Sequence, residues 1–485
     1  MKKDLKTITL QQHHTVKDAL KSLEVSGIRA VFVVDETGIL LGMITDGDIR
    51  RALMKQGSIA LPVSRIMQRH PITARMGTPP SRLLEVMRKK NILQIPLLDE
   101  KKRLVDVALL SELKSIPLAS PDISEKDRAT IAEVLGTPFL SIGPKVEEFE
   151  KKLAAYAGTR YAIAVNSGTS GLHLCVRALD IKDGDEVITT PFSFIASANC
   201  ILFERAKPVF VDIDPRTLCM DPARIEKAIT KKTKAILPVH IFGHPCDMDA
   251  IRKIAKARNL SIIEDACESL GSEYKGKRTG VFGDAAVFAF YPNKQITTSE
   301  GGMVVTDNER IAKLCRSMRN QGRDEGDSWL SHSRLGYNYR MSELPAALGV
   351  SQMERIDEML EKRDKVASLY NRTLASISDI SIPFIAPLVK MSWFVYVIKL
   401  NPEKFSRNDR DALIKKLQSH GIGCRDYFPP IHLEPFYQKM FGYKQGDFPI
   451  TERVASRTIA LPFHNNLSSS EVAYICKTLA YLLKP

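Results

Sequence analysis

The chain has 485 residues, 44% of them hydrophobic, which is the composition of a globular protein with two to four domains rather than of a disordered one. Its formal net charge is +14, and the first 116 residues hold over half of this excess, with 20 Lys and Arg against 12 Asp and Glu. The sequence shows neither a basic tail nor a helix with one basic face, so the charge favours a small phosphate-bearing ligand over DNA or RNA.

The chain starts with MKKDLKTITLQQHHTV, which carries charges but no apolar run after them. No stretch of about eighteen apolar residues follows elsewhere, so we predict neither an export signal nor a membrane span. The eight cysteines are scattered without CxxC spacing, which excludes a dense disulfide framework and a paired-cysteine metal motif. A reducing, cytoplasmic location fits these features best.

The first hundred residues contain an internal repeat with an offset of 64 residues. VFVVDETGILLGMITDGDI (31–49) aligns with IPLLDEKKRLVDVALLSEL (95–113), which places Asp35 over Asp99, Thr45 over Leu109 and Asp48 over Glu112. Each copy predicts a helix, a strand, a turn, a strand and a helix. Because one copy is too small to bury a core alone, we expect the two to pack as one module over residues 1–114.

The stretch GMITDGD resembles the Gly-x-x-Thr-x-x-Asp turn of the tandem CBS, or Bateman, module. The resemblance implies that the Thr45 hydroxyl contacts a nucleotide phosphate and that the Asp48 carboxylate contacts ribose hydroxyls. Because the second copy has Leu109 and Glu112 at these places, we expect at most one good nucleotide site. The alternative is a module that only adds a contact between the chains of a dimer.

Residues 115–122 include two prolines and several small residues, which predicts a linker. From 123 to 375, apolar strands alternate with helical segments, which predicts an α/β fold with a mostly parallel sheet covered on both faces. The strand patterns are YAIAV, DEVITT, PVFVDI, KAILPV, LSIIED, AAVFAF and GGMVVT. From 376 to 485 the strands are shorter, and we place a smaller C-terminal α+β domain there.

Four features follow these strands, at the sheet edge where α/β proteins bind ligands. NSGTSGLHL combines small residues with the start of a helix, where main-chain N–H groups and the helix dipole bind phosphate. Phe194 follows DEVITT, Asp265 ends LSIIED, and Lys294 comes 29 residues later in AFYPNKQITTSEGGM. Taken singly, these features also fit a tight turn, a core aromatic, a paired carboxylate and a solvated lysine.

Together, the four features are the set that pyridoxal phosphate (PLP) requires. A lysine bonds to the aldehyde of PLP, a carboxylate keeps the pyridine nitrogen protonated, an aromatic ring stacks on the cofactor and a main-chain cup holds the phosphate. Burial of Asp265 without a cationic partner would be costly, which fits a carboxylate that faces a protonated ring. The sequence therefore predicts a PLP site, and it lacks the GxGxxG and Walker patterns of dinucleotide or ATP sites.

From about residue 117 to the end, the sequence resembles the DegT/StrS family of fold-type I, PLP-dependent nucleotide-sugar aminotransferases. The stretches that carry the resemblance are IPLASPDI, NSGTSGLHL, GDEVITTPFSFIASAN, PVFVDID, ILPVHIFGHPCDMD, IIEDACESLG, FYPNKQITTSEGG, GYNYRMSELPAALG and RTIALPF. The resemblance implies a large PLP-binding domain, a small C-terminal domain and a homodimer.

The residue roles of this family transfer to matching positions. The resemblance implies that Lys294 is the catalytic lysine, and that the cofactor is bound by Asp265 at the pyridine nitrogen, by Phe194 on the ring face, and by Thr169 and Ser170 at the phosphate. Asn338, in GYNYRM, matches an asparagine that reaches the phosphate from the neighbouring subunit. The active site should therefore need a homodimer.

Three positions depart from the family pattern. Ala289 stands where the family often has a serine bonded to the phosphate, and Ser299 replaces a glycine. Glu268 stands where many members have Gln or His, so its contact with the phenolic oxygen of the cofactor would require a shared proton. Related sugar dehydratases have histidine in place of the lysine, and Lys294 argues against them.

The segment HIFGHPCD places His240, His244, Cys246 and Asp247 at a spacing that metal sites also use. Because this segment matches a loop of the family, we predict no metal site.

The sequence thus predicts a cytoplasmic, homodimeric aminotransferase that moves an amino group from L-glutamate, through PLP, to a keto sugar attached to a nucleotide. A nucleotide bound to the CBS module is expected to adjust its activity. Two alternatives stay open: a non-catalytic regulatory protein that senses PLP or a sugar nucleotide, and a PLP-dependent sugar dehydratase.

Overall fold

The computed structural model describes residues 5–110, 113, 115–326, 328 and 330–484, which divide into two units. The first unit extends to Ile116 and includes Lys416–Ile422, and the second comprises Pro117–Lys415 and the residues from Gly423 onward. None of the described helices combines the length and the apolar character that crossing a bilayer requires. The domain boundaries predicted from the sequence at 114, 122 and 375 stay predictions.

The first unit consists of two similar halves. Its helices are α1 (Leu5–Ile8), α2 (Val16–Ser26), α3 (Asp46–Gln56) and α4 (Pro80–Lys90), and its strands are β1 (Thr9–Leu10), β2 (Ala30–Val34), β3 (Leu40–Thr45), β4 (Ala74–Arg75), β5 (Gln94–Leu98) and β6 (Leu104–Leu109). The sheets have the orders β1-β2-β3 and β4-β5-β6, each a parallel pair followed by an antiparallel hairpin. Strands β5 and β6 repeat the bounds of β2 and β3 at an offset of 64, so the predicted repeat is confirmed.

The hairpin turns of the two halves are built in the same way. Asp35 Oδ1 accepts the Thr37 and Ile39 N–H groups at 2.9 Å, and Asp99 Oδ1 accepts the Lys101 and Arg103 N–H groups at 2.9 Å. A carboxylate that holds its own turn is a common device in short hairpins. The alignment of Asp35 with Asp99 is therefore confirmed, whereas Glu112 lies outside the described residues.

Helices α2 and α3 begin with the same capping box, in which the N-cap hydroxyl and the carboxylate three residues later exchange hydrogen bonds. Thr45 Oγ1 donates to Asp48 Oδ2 at 2.7 Å, and the Thr45 N–H donates to the same oxygen at 2.9 Å. Thr15 and Asp18 repeat this arrangement at 2.8 and 2.9 Å. The Thr-x-x-Asp pattern thus has a structural role at both helix starts.

The rest of the chain forms a larger set of elements. The helices are α5 (Glu125–Leu135), α6 (Pro144–Ala157), α7 (Gly168–Ala178), α8 (Ala196–Leu202), α9 (Pro222–Ala228), α10 (Met248–Arg258), α11 (Glu309–Arg319), α12 (Glu343–Met353), α13 (Ile356–Leu374), α14 (Arg407–Ser419), α15 (Pro435–Phe441), α16 (Pro449–Ala455) and α17 (Ser469–Leu482). The strands are β7 (Tyr161–Val165), β8 (Glu186–Thr189), β9 (Lys207–Phe210), β10 (Thr233–Ile236), β11 (Ser261–Asp265), β12 (Glu273–Tyr274), β13 (Lys277–Arg278), β14 (Ala285–Ala289), β15 (Gly302–Thr306), β16 (Ile380–Ser381), β17 (Val389–Lys390), β18 (Tyr396–Leu400) and β19 (Thr458–Leu461).

The second unit contains a seven-stranded sheet of order β7-β15-β14-β11-β10-β8-β9. Only β15 runs antiparallel to its neighbours within this sheet, so β7, β8, β11 and β14 all point the same way. Their apolar residues are largely buried, as expected for strands covered on both faces. The predicted α/β fold with a mostly parallel sheet is therefore confirmed, and the carboxyl ends of these strands lie at one edge.

A smaller antiparallel sheet, β16-β18-β19, forms from residues beyond 376. The core of the large sheet includes Phe288, Phe290, Ile296 and Met303, all nearly inaccessible to solvent. Phe290 and Ile296 lie on either side of Lys294 in the sequence, so burial of these two side chains anchors the turn that carries the lysine.

Strand β7 lies at an edge of the large sheet, where main-chain groups would otherwise face outward. The Ala164 N–H donates to Glu150 Oε1 at 2.9 Å, and the Ala164 carbonyl accepts from Arg319 Nη1 at 2.6 Å. Glu150 and Arg319 also pair with each other. At Ala164, an ion pair of side chains therefore occupies the positions of a neighbouring strand.

We expect Thr15→Ala and Thr45→Ala each to lower the free energy of unfolding of its helix by about 1 kcal/mol, because each removes an N-cap hydroxyl. Native-state hydrogen exchange of the full chain, read by mass spectrometry over α2 and α3, measures this loss. Thr45→Ser keeps the hydroxyl and should exchange like the natural protein. Unchanged exchange in α3 of Thr45→Ala would contradict the capping role.

Candidate active site

Four loops meet at the carboxyl edge of the parallel strands: 166–170 after β7, 190–197 after β8, 265–268 after β11 and 290–294 after β14. Their packing is close, because a Cβ added to Gly168 would lie 2.9 Å from both Cys267 Sγ and Ala289 Cβ. A side chain at position 168 would therefore push the first loop away from the others. The sheet edge predicted to bind ligands is the place where the candidate residues converge.

The loop NSGTSG forms the start of α7, with Ser167 as the N-cap residue. Ser167 Oγ accepts the Ser170 N–H at 3.1 Å, and the Ser170 hydroxyl donates to Asn166 Oδ1 at 2.7 Å. Ser170 is buried and Thr169 is half-buried. Because phosphate oxygens accept hydrogen bonds, a phosphate role for the Ser170 hydroxyl requires that it leave Asn166.

Asp265 ends β11 and is only 5% exposed. Its Oδ2 accepts the Ser197 hydroxyl at 2.6 Å, and its Oδ1 accepts the Cys267 N–H at 3.1 Å. The carboxylate is thus held from two sides by neutral donors. A cationic ring nitrogen would complete the charge balance of this buried group.

Lys294 lies in the turn after β14, and its side chain is 12% exposed. Its Nζ is 3.7 Å from Glu268 Oε1 and 3.8 Å from the ring centroid of Phe394. The aromatic face and the carboxylate hold the amine at the sheet edge rather than in bulk solvent. A lysine in this environment is placed to act as a nucleophile.

The main chain of the Lys294 turn is held by a buried arginine. Arg363, from α13, is 2% exposed and donates through Nη2 to the carbonyl oxygens of Asn293 and Lys294, at 3.0 and 3.1 Å. The Lys294 N–H donates to the Tyr291 carbonyl at 2.9 Å. These bonds fix the direction in which the lysine side chain leaves the turn.

Glu268 is buried beside the lysine. Its Oε2 accepts the Phe242 N–H at 2.8 Å, in a turn where Phe242 has a left-handed φ of 56°. Burial raises the pKa of the Glu268 carboxyl to about 7, against the opposing effect of the Lys294 ammonium group. At neutral pH, Glu268 can therefore hold or release a proton next to the lysine.

The structure brings Lys294 to within 3.7 Å of Glu268, and Asp265 holds the N–H of Cys267, the residue before Glu268, in the same loop. Phe194 follows β8 as predicted, but its side chain is 60% exposed. Asn338 is exposed, and its main-chain carbonyl accepts the Asn166 side chain of the same chain at 3.3 Å. The cofactor roles of Phe194 and Asn338 stay predictions.

The structure shows the local environment of two residues that depart from the family pattern, Ala289 and Ser299. Ala289 pairs with Gly302 across the β14-β15 ladder and faces Gly168, so it lies beside the loop at the start of α7. Ser299 has a left-handed φ of 70°, a conformation that glycine adopts without strain and serine does not. The serine therefore adds backbone strain just after the lysine turn.

Several residues around the site escaped the sequence analysis. Ser197 and Phe394 contact Asp265 and Lys294 respectively, and Gln295 Nε2 donates to the Glu268 carbonyl at 2.7 Å. Ser197 lies in the quoted stretch PFSFIAS, four residues after Ser193, but Ser193 precedes α8, so helical spacing does not by itself predict their contact. Phe394 has no sequence signal either, because it is 100 residues from Lys294 and in another part of the fold.

The histidines of HIFGHPCD are engaged in internal bonds. His240 Nδ1 accepts the Cys246 N–H at 3.1 Å, so its Nε2 carries the proton that it donates to Glu264 at 2.9 Å. His244 Nε2 accepts the Ala386 N–H at 3.1 Å, and its Nδ1 donates to the Pro245 carbonyl at 2.8 Å. Within the described ranges, no group of three or more His, Cys, Asp or Glu side chains is arranged to hold a metal ion.

Glu264 precedes Asp265 in β11 and points to the opposite face of the strand. Besides His240, it accepts three main-chain N–H groups, from Gly280, Phe282 and Gly283, at 2.6 to 3.0 Å. Since all these donors belong to the protein, Glu264 fastens the 280–283 loop. Of the two neighbouring carboxylates, only Asp265 faces the candidate site.

The residues present fit PLP on chemical grounds. Lys294 supplies an amine, Asp265 supplies a buried carboxylate that lacks an ion pair among the described residues, and the start of α7 supplies main-chain N–H groups. The close approach at Gly168 keeps that helix start against the other loops. These are the groups that an aldehyde, a ring nitrogen and a phosphate require.

Comparison with protein families gives two matches. Residues 121–480 match the DegT/DnrJ/EryC1/StrS aminotransferase family, and residues 1–55 and 63–116 match the CBS domain. Both sequence resemblances are therefore confirmed.

Individual proteins, like the aminotransferase family, match most of the chain. GDP-perosamine synthase of Caulobacter vibrioides is 39% identical over 376 residues, which cover 77% of this chain and 100% of that protein. The structure of Helicobacter pylori PseC, an aminotransferase involved in the biosynthesis of pseudoaminic acid, has a TM-score of 0.72 and 30% identity and covers 76% of this chain and 99% of its own. The PLP form of Spr1654 from Streptococcus pneumoniae has a TM-score of 0.72 and 31% identity. The match covers 76% of this chain and 98% of that one. The expected fold type I is confirmed.

We expect the cofactor-free protein to lose stability between pH 5 and pH 8 on account of Glu268. Its pKa is raised by folding, so the folded state binds the proton more tightly than the unfolded state, and the free energy of unfolding falls as pH rises. The expected fall is on the order of 2 kcal/mol relative to Glu268→Gln, which keeps the acceptor for the Phe242 N–H but does not titrate.

Urea unfolding of both proteins at several pH values measures this difference. Glu226→Gln, an exposed change on α9, should follow the natural protein at every pH. If the free energy of unfolding changed with pH in the same way in the natural protein and in Glu268→Gln, the Glu268 carboxyl would not titrate between pH 5 and pH 8.

Proposed function

Because the chain belongs to the DegT/DnrJ/EryC1/StrS aminotransferase family, we propose that it moves an amino group from L-glutamate to a keto sugar attached to a nucleotide, with PLP as cofactor. The expectation of an aminotransferase is confirmed by this membership. The names of GDP-perosamine synthase and PseC support a sugar as the acceptor. The glutamate donor, the nucleotide and the cytoplasmic location are parts of the proposal.

The observation that carries the proposal is the position of Lys294 Nζ, 3.7 Å from Glu268 and at the same sheet edge as Asp265. When bound, PLP supplies an aldehyde that takes the amino group and a ring that accepts electrons from the substrate carbon. Asp265 favours a protonated ring nitrogen through its negative charge. Lys294 Nζ, when neutral, can take a proton from the substrate carbon and would return it to a carbon of the bound cofactor.

Glu268 has a separate task in this proposal. With a pKa of about 7, its carboxyl can supply the proton that an oxygen-to-oxygen contact with the phenolic group of the cofactor requires. The Phe242 N–H holds one carboxyl oxygen, so the other, which faces Lys294, is the one available for this contact.

We further propose a homodimer, in which Asn338 of one chain reaches the phosphate site of the other. The exposure of Asn338 supports this role, and so do the apolar residues Phe139, Leu140 and Ile142, which are 50 to 69% exposed. The Leu140 carbonyl accepts the N–H of Glu343, five residues after Asn338. Apolar groups so exposed in one chain are typical of a surface that another chain covers.

The visible absorption spectrum with PLP tests the cofactor site. The natural protein should show the band of the lysine-bound cofactor, L-glutamate should abolish it with release of 2-oxoglutarate, and Lys294→Ala should show neither effect. Lys275→Ala, at an exposed turn, is the matched control and should behave like the natural protein.

Two results would contradict the transaminase proposal. A protein that retains PLP but leaves glutamate unchanged would fit a regulatory protein that senses the ligand. A deoxy sugar formed without any amine donor would identify a dehydratase.

For the first unit, we propose a nucleotide site at Thr45 and Asp48. The start of α3 directs main-chain N–H groups and the positive end of its dipole outward, which favours a phosphate next to Thr45. Arg51 pairs with Asp48 Oδ1 and adds positive charge at the same helix start. The +8 charge of the first 116 residues would favour the approach of an anion.

Titration of the full chain with ATP, GTP, UTP and CTP tests this site. Thr45→Ala should weaken binding by about tenfold or more, because it removes the hydroxyl that would turn from Asp48 to the phosphate. Thr15→Ala loses an equivalent capping box in α2 and is the matched control, which should bind normally. If none of the four nucleotides binds the natural protein, the module serves only as a contact between chains.

A further inference from the structure

A line of buried hydroxyl groups leads to Asp265. Ser197 Oγ lies 2.6 Å from Asp265 Oδ2, and Ser193 Oγ lies 2.7 Å from Ser197 Oγ. Ser193 and Ser197 are 3% and 1% exposed, so water does not compete for these bonds. Ser197 is in the first turn of α8, whereas Asp265 ends β11, so the bond joins two separate elements of the sheet edge.

The direction of both hydrogen bonds follows from chemistry. An ionised carboxylate can only accept, so Ser197 donates its one hydroxyl proton to Asp265. The bond between the two serines must then be donated by Ser193. Both hydroxyl dipoles therefore point towards the carboxylate, and each hydrogen bond in such a chain strengthens the next.

The apolar surroundings of these two serines would destabilise the fold if their hydroxyls were not hydrogen-bonded. Phe192, Ala198 and Cys200 are fully buried around them. Burial raises the pKa of the Cys200 thiol, and the negative charge of Asp265 raises it further. Two hydroxyls in such a layer destabilise the fold unless both are bonded.

The other contacts of Asp265 leave a specific task for Ser197. Oδ1 is held by the Cys267 N–H, a main-chain group in the same loop, which cannot by itself fix the rotation of the carboxylate. Ser197 binds the second oxygen and so sets the plane of the carboxylate.

We propose that Ser197, supported by Ser193, is a positioning residue that orients Asp265 towards the cofactor ring nitrogen, so that this nitrogen stays protonated. The inference rests on the proposed function, because it concerns the same PLP site. Ser197 acts through Asp265 and does not touch substrate in this proposal. Ser193 acts one bond further away, through Ser197.

The test uses PLP labelled with ¹⁵N in the ring, bound to the full-length protein, together with single-turnover reaction with L-glutamate. In Ser197→Ala, the ¹⁵N chemical shift should move towards that of an unprotonated ring, and the rate should fall roughly tenfold, as for loss of one hydrogen bond to a charged group. The KM for glutamate should change little, because glutamate does not contact Ser197. Ser197→Thr keeps the hydroxyl and should restore both the shift and the rate.

Two further variants separate positioning from packing. Ser193→Ala removes only the outer donor and should give a smaller displacement of the ¹⁵N shift in the same direction. Ser269→Ala is the matched control, because Ser269 is also buried but donates to Thr279 at 3.1 Å rather than to Asp265. Its ¹⁵N shift should equal that of the natural protein.

Unchanged ¹⁵N shift and rate in Ser197→Ala would overturn the proposal. If Ser197→Ala does not fold, the shift in Ser193→Ala decides, and no displacement there would also overturn it. Failure of the proposed function is distinguished by the natural protein, which would then show no lysine-bound cofactor or no reaction with glutamate.

Discussion

Buried carboxylates require hydrogen-bond donors, and this requirement organises the second unit around the end of β11. Three acidic residues occur within five positions, at 264, 265 and 268, and all are buried. Each draws its donors from a different part of the chain. Glu264 fastens the 280–283 loop, Asp265 fastens α8, and Glu268 fastens the turn at Phe242 and faces Lys294.

The three carboxylates differ in whether their donors satisfy them. Glu264 has four donors from the protein and is therefore a structural anchor. Asp265 and Glu268 have fewer donors, and both face the sheet edge where the lysine lies. A carboxylate that has few hydrogen-bond donors in the fold is suited to a ligand with complementary groups. The number of donors therefore distinguishes the structural carboxylate, Glu264, from the two at the candidate site, Asp265 and Glu268.

Much of this arrangement was predictable from the sequence, because it depends on local pattern. The repeat in the first unit, the strands of the large sheet and the residues at their carboxyl ends all follow from apolar periodicity and from the position of Asp265 and Lys294 after strands. The ring of Phe394 under Lys294 was not predictable, since that contact joins segments 100 residues apart. The exposure of Phe194 also depends on how a turn directs its side chain, which periodicity does not encode.

The Thr-x-x-Asp pattern shows how one sequence signal can have two physical causes. At Thr15 and Asp18 the pattern caps a helix, and at Thr45 and Asp48 it forms the same cap with nearly the same distances. A ligand site at the second position would therefore be added to a structural motif rather than replace it. Thr15 and Asp18 at the start of α2 therefore serve as the reference for helix capping alone. A ligand role of Thr45 and Asp48 is measured against that reference.

The ion pair at the edge strand β7 limits how this protein can associate. Because Glu150 and Arg319 occupy the N–H and carbonyl of Ala164, another strand cannot continue the large sheet past this point. Growth of the sheet from chain to chain, the first step of many fibrous aggregates, would have to break a half-buried pair of charges and leave both without partners. Assembly on this side must therefore proceed through side-chain surfaces, whose shape and charge are specific to a partner, rather than through the main chain, which any strand could match.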